Sequence, residues 1–383
     1  MALIFIYFAL FLGVHYITKT FSHPGKARLF QLVACFILLF GFFGFRDITV
    51  LNDTSHYYGF YYQRAHVVRY LNESVFAYHV ADKFEYGFQV LCHILIQYVS
   101  KNPYTIILLS SFIITIGELW FFNRHSKHIA KMCFYFLIAN LMFMHYCIIR
   151  QALALLFFYA AFEQMDKSIW KYHLLVACAC LFHISAILLF FLPYLRKINP
   201  SRRMVIIAIG ASTAFALTIF EILSILGLHD HPYYKAAIQR ESISIVGLAD
   251  LTILLFILGT CIYIHNKKQY KQIENTYFWI GLTMLCISIV SLVFYPIARV
   301  NEYLWPFLLL LLLRYIDPAT LKKQCPYQTE GVQNLFRLIV IIVFVSKMLG
   351  INTFRPEWQH VDQYQFYDFE KPVHKYDLYP QEA

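Results

Sequence analysis

Apolar runs recur from one end of this chain to the other, at residues 2–18, 29–45, 87–99, 104–122, 132–147, 150–164, 172–194, 204–226, 248–265, 276–295, 300–316 and 335–350. Most approach the ~20 residues that a helix needs to cross ~30 Å of hydrocarbon. In lipid every backbone N–H and C=O must be satisfied within its own segment, which restricts such runs to helices. The expectation is an all-α polytopic membrane protein with 10–12 membrane helices, some of them re-entrant. Composition agrees: 14% of the residues are charged, where a soluble domain carries roughly 25%. The first run lacks a basic stretch before it and a small-residue cleavage site after it, so it reads as a retained helix.

The nine cysteines lie mostly within apolar runs and show no metal or thioredoxin spacing; they read as small apolar filler. The net charge of +10 belongs to loops and implies no nucleic acid.

Lys and Arg placement sets the orientation. The stretches 19–28, 266–275 and 314–337 are basic and read as cytoplasmic. Residues 46–86 then form an extracytoplasmic loop within an integral membrane domain of residues 1–350. An aromatic tail, 351–383, lies on the same outer side, and so do both termini. The middle of the chain admits two readings. If every apolar segment crosses once, Arg124–Lys131 and Lys167–Lys171 fall outside. If 87–99 is re-entrant and 172–194 dips in as a hairpin with His183 near its tip, all basic stretches fall inside and Arg150 faces outward. The second satisfies the charge rule and is preferred.

A charge at membrane depth is costly and persists mainly where it has a task. Phe45-Arg46-Asp47 and Asn52-Asp53-Thr54, followed by Tyr57, sit where the second helix leaves the membrane. The planar fork of Arg46 suits a phosphate, and Asp53 suits a proton or a sugar hydroxyl. The plain alternative is a helix-end arginine reaching the interface. Glu85 opens an apolar segment, where helix capping is a sufficient explanation. Arg150-Gln151 interrupts a long apolar stretch in which His145 is the nearby polar residue. A simple turn there would use Gly, Asn or Ser more readily. His183 lies mid-segment, as a buried structural imidazole or as a proton acceptor. Arg299, with Glu302 and Tyr303, marks a further outer edge. No His, Asp or Glu cluster has metal-ligand spacing, so no metal is expected; no Walker loop and no Gly-rich dinucleotide fingerprint is present, so no nucleotide cofactor is expected either.

The order Phe45-Arg46, Asn52-Asp53-Thr54, Tyr57-Tyr58, Glu85-Tyr86-Gly87-Phe88, Ile149-Arg150-Gln151-Ala152, Phe182-His183-Ile184-Ser185 and Ala298-Arg299-Val300-Asn301-Glu302-Tyr303 resembles the EpsG family of Wzy-type polysaccharide polymerases. The likeness runs over about residues 40–310; its motifs are short and gain specificity from their order. Before the aspartate the family pattern reads Gly-Thr-Asp, where this chain has Leu51-Asn52-Asp53.

The resemblance implies a GT-C-like glycosyltransferase of the bacterial cytoplasmic membrane. It would join oligosaccharide repeat units carried on polyprenyl pyrophosphate at the outer face, with donor and acceptor both lipid-linked. A chain-length regulator and a flippase are the implied partners. On that footing Arg46, Arg150 and Arg299 bind the pyrophosphate. His183, Asp53 and Glu85 are candidate proton acceptors, and Tyr57, Gln151 and Tyr303 contact substrate.

Two rivals remain. A lipid-linked glycan flippase or transporter would also place charges in the membrane, but usually shows repeated halves, and no repeat is evident here. A glycan ligase is barely separable from a polymerase by sequence.

Overall fold

The computed structural model describes residues 2–66, 73–79, 84–199, 201–227, 234–235, 245–266, 274–316, 330–354, 356 and 359–370. Lys267, Lys268, Lys271, Lys322, Lys323 and the tail beyond Glu370 lie outside the described residues.

The described chain is helical: α1 (Ala2–Ile17), α2 (Pro24–Gly44), α3 (Thr54–His66), α4 (Tyr86–Tyr98), α5 (Tyr104–His125), α6 (Ile129–Ile138), α7 (Leu141–Cys147), α8 (Ile149–Gln164), α9 (Ile169–Phe182), α10 (Leu192–Leu195), α11 (Arg202–Ile225), α12 (Ile245–Asn266), α13 (Glu274–Ser291), α14 (Asn301–Ile316) and α15 (Glu330–Phe354). Every apolar run of the sequence falls on one or more of these helices. The protein is a polytopic membrane protein. Among the described residues six helices are long and apolar enough to cross a membrane, and seven if the bent pair α6–α7 is one span. Several further apolar helices are shorter, Ile169–Phe182 and Asn275–Ser291 among them.

Local chemistry sets the boundaries. Pro24 opens α2, where its missing N–H costs nothing. Ser168 caps α9 by accepting from Lys171 N, and Ser201 caps α11 by accepting from Met204 N. The 78° break between α6 and α7 falls at Asn140, whose φ of 67° ends one helix and whose type tolerates the left-handed region.

The chain forms two compact units, residues 1–184 with 344–383, and residues 185–343. In the first, α2 and α5 run antiparallel: Arg28 bonds Asn123 at one end, and Tyr104 Oη donates to the carbonyls of Gly44 and Arg46, 2.8 Å each, at the other. Helix α8 carries Arg150 in its first turn and ends where Glu163 meets His125 at 3.0 Å and Arg124 at 3.5 Å. Rings of α1 pack on α6 and the residue before it, Phe8 on Phe134 and His15 beside His128. This unit therefore has two poles. Lys19, Lys26, Arg28, Arg124, Lys127, Lys131, Lys167 and Lys171 belong to one. Arg46, Asp53, Glu85, Arg150 and His183 belong to the other.

Helix α4 has 13 residues, so it spans only about 20 Å, too short for the ~30 Å core. Both of its ends lead to the Arg150 pole: Glu85 reaches Arg150, and Ser100 O accepts from Tyr61 Oη at 2.6 Å just before α5 begins. Helix α9 stops at Phe182, and His183 follows in extended backbone with φ −156°. The run 172–194 is thus interrupted at the histidine. The core between the poles is aromatic, with Phe121 stacked on Tyr159 and Phe43 on Tyr146 at ring distances of 3.8 and 4.0 Å.

In the second unit α11 packs against α13, which also meets α12 and α14. Asn301 Nδ2 donates to Ser288 Oγ at 2.9 Å and to Met284 O, fastening the start of α14 to α13. Much of α11 is apolar and exposed, with Ile207 and Leu217 facing outward as lipid-facing residues do.

Candidate functional site

The site grows from the first turn of α8. Arg150, the second residue of that helix, is largely buried and donates from Nη1 to Glu85 Oε2. Its guanidinium also lies over the Phe84 ring, 4.6 Å from the centroid. Glu85 stands at the N-cap of α4, yet its side chain makes no capping bond. Instead one oxygen meets Arg150 and the other accepts from Ile184 N at 3.3 Å. The carboxylate thus ties α8 to the residue after His183. Capping, the plain explanation for Glu85, is not what the side chain does.

The approach of α4 to α9 depends on Gly87. A Cβ at that position would lie 2.8 Å from Leu181 O, a backbone atom that cannot swing away. Glycine is what lets the first turn of α4 reach the last turn of α9.

Tyr57, on α3, is buried and shares a side-chain hydrogen bond with Arg150. Burial pushes its hydroxyl well above the usual value, against the pull of Arg150. The phenol is therefore a neutral donor. Asp53 lies half-buried one turn before Tyr57, within electrostatic range of it. His183 is 9% exposed. Asp53, Tyr57, Glu85, Arg150 and His183 thus come together at one pole of the first unit.

The turn that presents Asp53 has Leu51 at φ 64°, in the left-handed region. Leu51 N donates to Gln359 O at 2.9 Å, and Thr54 N returns to Leu51 O at 2.8 Å. The residue differs from the glycine of the family pattern, but it occupies a backbone state that glycine adopts without cost.

Arg46 is fully buried, beside this group but in a nest of its own. Its donors go to Phe43 O, Ser111 Oγ at 3.0 Å, Tyr146 O at 2.9 Å and Thr54 Oγ1 at 3.3 Å. The aromatic tail straps over it. Asp47 N donates to Gln365 O, Tyr367 N donates to Phe45 O, and the Tyr367 ring stacks on Tyr104 at 3.8 Å. Gln151 is buried within α8. Arg299, half-buried, and Tyr303, fully buried with Oη 3.5 Å from Ser185 Oγ, belong to the second unit.

The sequence reading passes over Glu118. It lies in α5, buried, with His145 Nδ1 2.6 Å from Oε1 and Tyr159 Oη 3.2 Å from both oxygens. The membrane-charge argument applied to Arg150 would have found it. So would the polar stripe Ser111, Thr115, Glu118 at spacings of four and three on one helix face. Among the described residues no group of three or more His, Cys, Asp and Glu is arranged to hold a metal ion.

The model of the EpsG family matches residues 29–366, nearly the whole chain. Over 85 residues the chain is 26% identical to YwrE of Bacillus subtilis (strain 168), an uncharacterized protein; the stretch covers 22% of this chain and 69% of that relative. No solved structure matches.

Proposed function

The chain belongs to the EpsG family of Wzy-type polymerases, and we propose that it polymerises polyprenyl-pyrophosphate-linked oligosaccharide repeat units on the outer face of the bacterial cytoplasmic membrane. The observation that carries this reading is the Arg150 constellation: a cation, a carboxylate, a neutral phenol, a second carboxylate and an imidazole at one pole, opposite the basic one.

The reaction asks for those groups. The acceptor hydroxyl attacks the anomeric carbon of the donor, the bond from that carbon to the pyrophosphate oxygen breaks, and the pyrophosphate departs on its lipid. Negative charge builds on the leaving oxygen. Arg150 meets it, at a helix start where the backbone dipole adds positive potential. The pyrophosphate takes the place of Glu85 on the guanidinium. Tyr57 donates to a sugar or phosphate oxygen. The hydroxyl proton passes to His183 or Asp53, while Glu85, released from Arg150, keeps its bond to Ile184 N. Arg46, already held by four acceptors, acts in this reading as the strut of the Asp53 loop. Gln151 keeps its proposed contact with substrate, and Arg299 and Tyr303 keep their roles as readings of the sequence alone. The reaction draws on no metal.

Deletion in the native host tests the reading. Surface polysaccharide should collapse from a ladder to single repeats and recover on complementation. Complete loss of surface glycan would point instead to a flippase or a ligase.

A further inference from the structure

Helix α7 has only seven residues, too few to hold itself, yet it joins the two halves of the site. Its last residue, Cys147, donates from Sγ to Asn52 Oδ1 at 3.1 Å, next to Asp53. Arg150 follows three residues later. Tyr146 O accepts from Arg46, and its ring stacks on Phe43. What grips α7 from the core side is α5. Thr115 Oγ1 lies 2.6 Å from Tyr146 Oη, and Glu118 lies 2.6 Å from His145 Nδ1. Tyr159 of α8 holds the same carboxylate on both oxygens. Side chains of Glu118, His145 and Tyr159 are essentially inaccessible, within helices that carry the membrane core.

We propose that Glu118 is a positioning residue: through His145 it pins α7, and α7 sets where Arg150 and Asp53 stand. The inference rests on the site reading above. A carboxylate at this depth is costly and persists where it has a task. Here one acid fastens two neighbouring helices at once, α7 by His145 and α8 by Tyr159. Arg150 stands in the first turn of the second of them, three residues after the first ends. Losing the pin lets the short helix drift, and a displacement of about 1 Å at a reacting group costs about 10²-fold in rate.

The test reads geometry and activity separately. A protein whose sole cysteine is Cys147 reports on α7 through the rate of thiol labelling in native membranes. A second protein, whose sole cysteine is the buried Cys92 of α4, is the control. Glu118→Ala should speed labelling of Cys147 several-fold, leave Cys92 protected, and cut glycan polymerisation about 10²-fold. Glu118→Gln keeps an acceptor oxygen for the His145 N–H and should rescue both readouts in large part. Unchanged protection of Cys147 in Glu118→Ala would overturn the proposal. So would equal exposure of Cys92, which would mean general loosening of the fold. If Cys147 opens while glycan ladders stay normal, the pin stands and the site reading falls.

Discussion

At the scale of single residues, two arginines of the same pole have opposite characters. Arg46 is enclosed, its donors satisfied by carbonyls and hydroxyls of the protein itself. Hydrogen bonds to a charged group contribute roughly 1.5–3 kcal/mol each, so Arg46 holds the loop more firmly than it could hold a ligand. Arg150 is bound to Tyr57 and to the Glu85 carboxylate, which an anion can displace. Arg150→Lys keeps the charge and loses the planar fork. It should lower polymerisation about 10²-fold with membrane levels of the protein unchanged, as read by quantitative blotting beside glycan gels. Glu85→Gln should be less severe, because the amide still accepts from Ile184 N. His183→Gln and Asp53→Asn separate the two proton acceptors: the true one should leave single repeats, and the other should retain much of the ladder. Normal ladders from both would rule out these two as acceptors and leave Glu85 to be tested in the same way.

At the scale of elements, hydropathy located the helices but not their joints. All twelve apolar runs became helical because lipid leaves the backbone no other economical state. The 78° bend at Asn140 was not legible. Both halves of that span are apolar, and one left-handed residue makes the break. The pairing of Glu85 with Arg150 was also hidden. It joins residues 65 apart in sequence, and periodicity reports only on near neighbours. Glu85-Tyr86-Gly87 did carry a local signal, since Gly87 is required by the close approach to Leu181. Gly87→Ala should separate α4 from α9, weaken the Glu85–Ile184 bond and sharply reduce polymerisation. Gly41→Ala, with open space around its position, should be silent in the same assay. An active Gly87→Ala protein would show that this helix contact does not shape the site.

At the scale of the molecule, the first unit sorts its charges between two poles, and the positive-inside rule predicts that the basic pole is cytoplasmic. Cysteines introduced at positions 127 and 167 should then react only from inside, and one at position 52 only from outside, in a cysteine-free background. Outside labelling at 167 would reverse the orientation of the site and exclude an extracytoplasmic reaction. The central claim is chain growth itself. Its most direct measurement is reconstitution of the purified protein in vesicles with lipid-linked repeat units taken from the deletion host, in the presence of chelator. The account predicts a ladder of lengthening glycans with release of one polyprenyl pyrophosphate per added repeat, slowed about 10²-fold by Arg150→Lys. Movement of intact single repeats across the bilayer without any lengthening would contradict it.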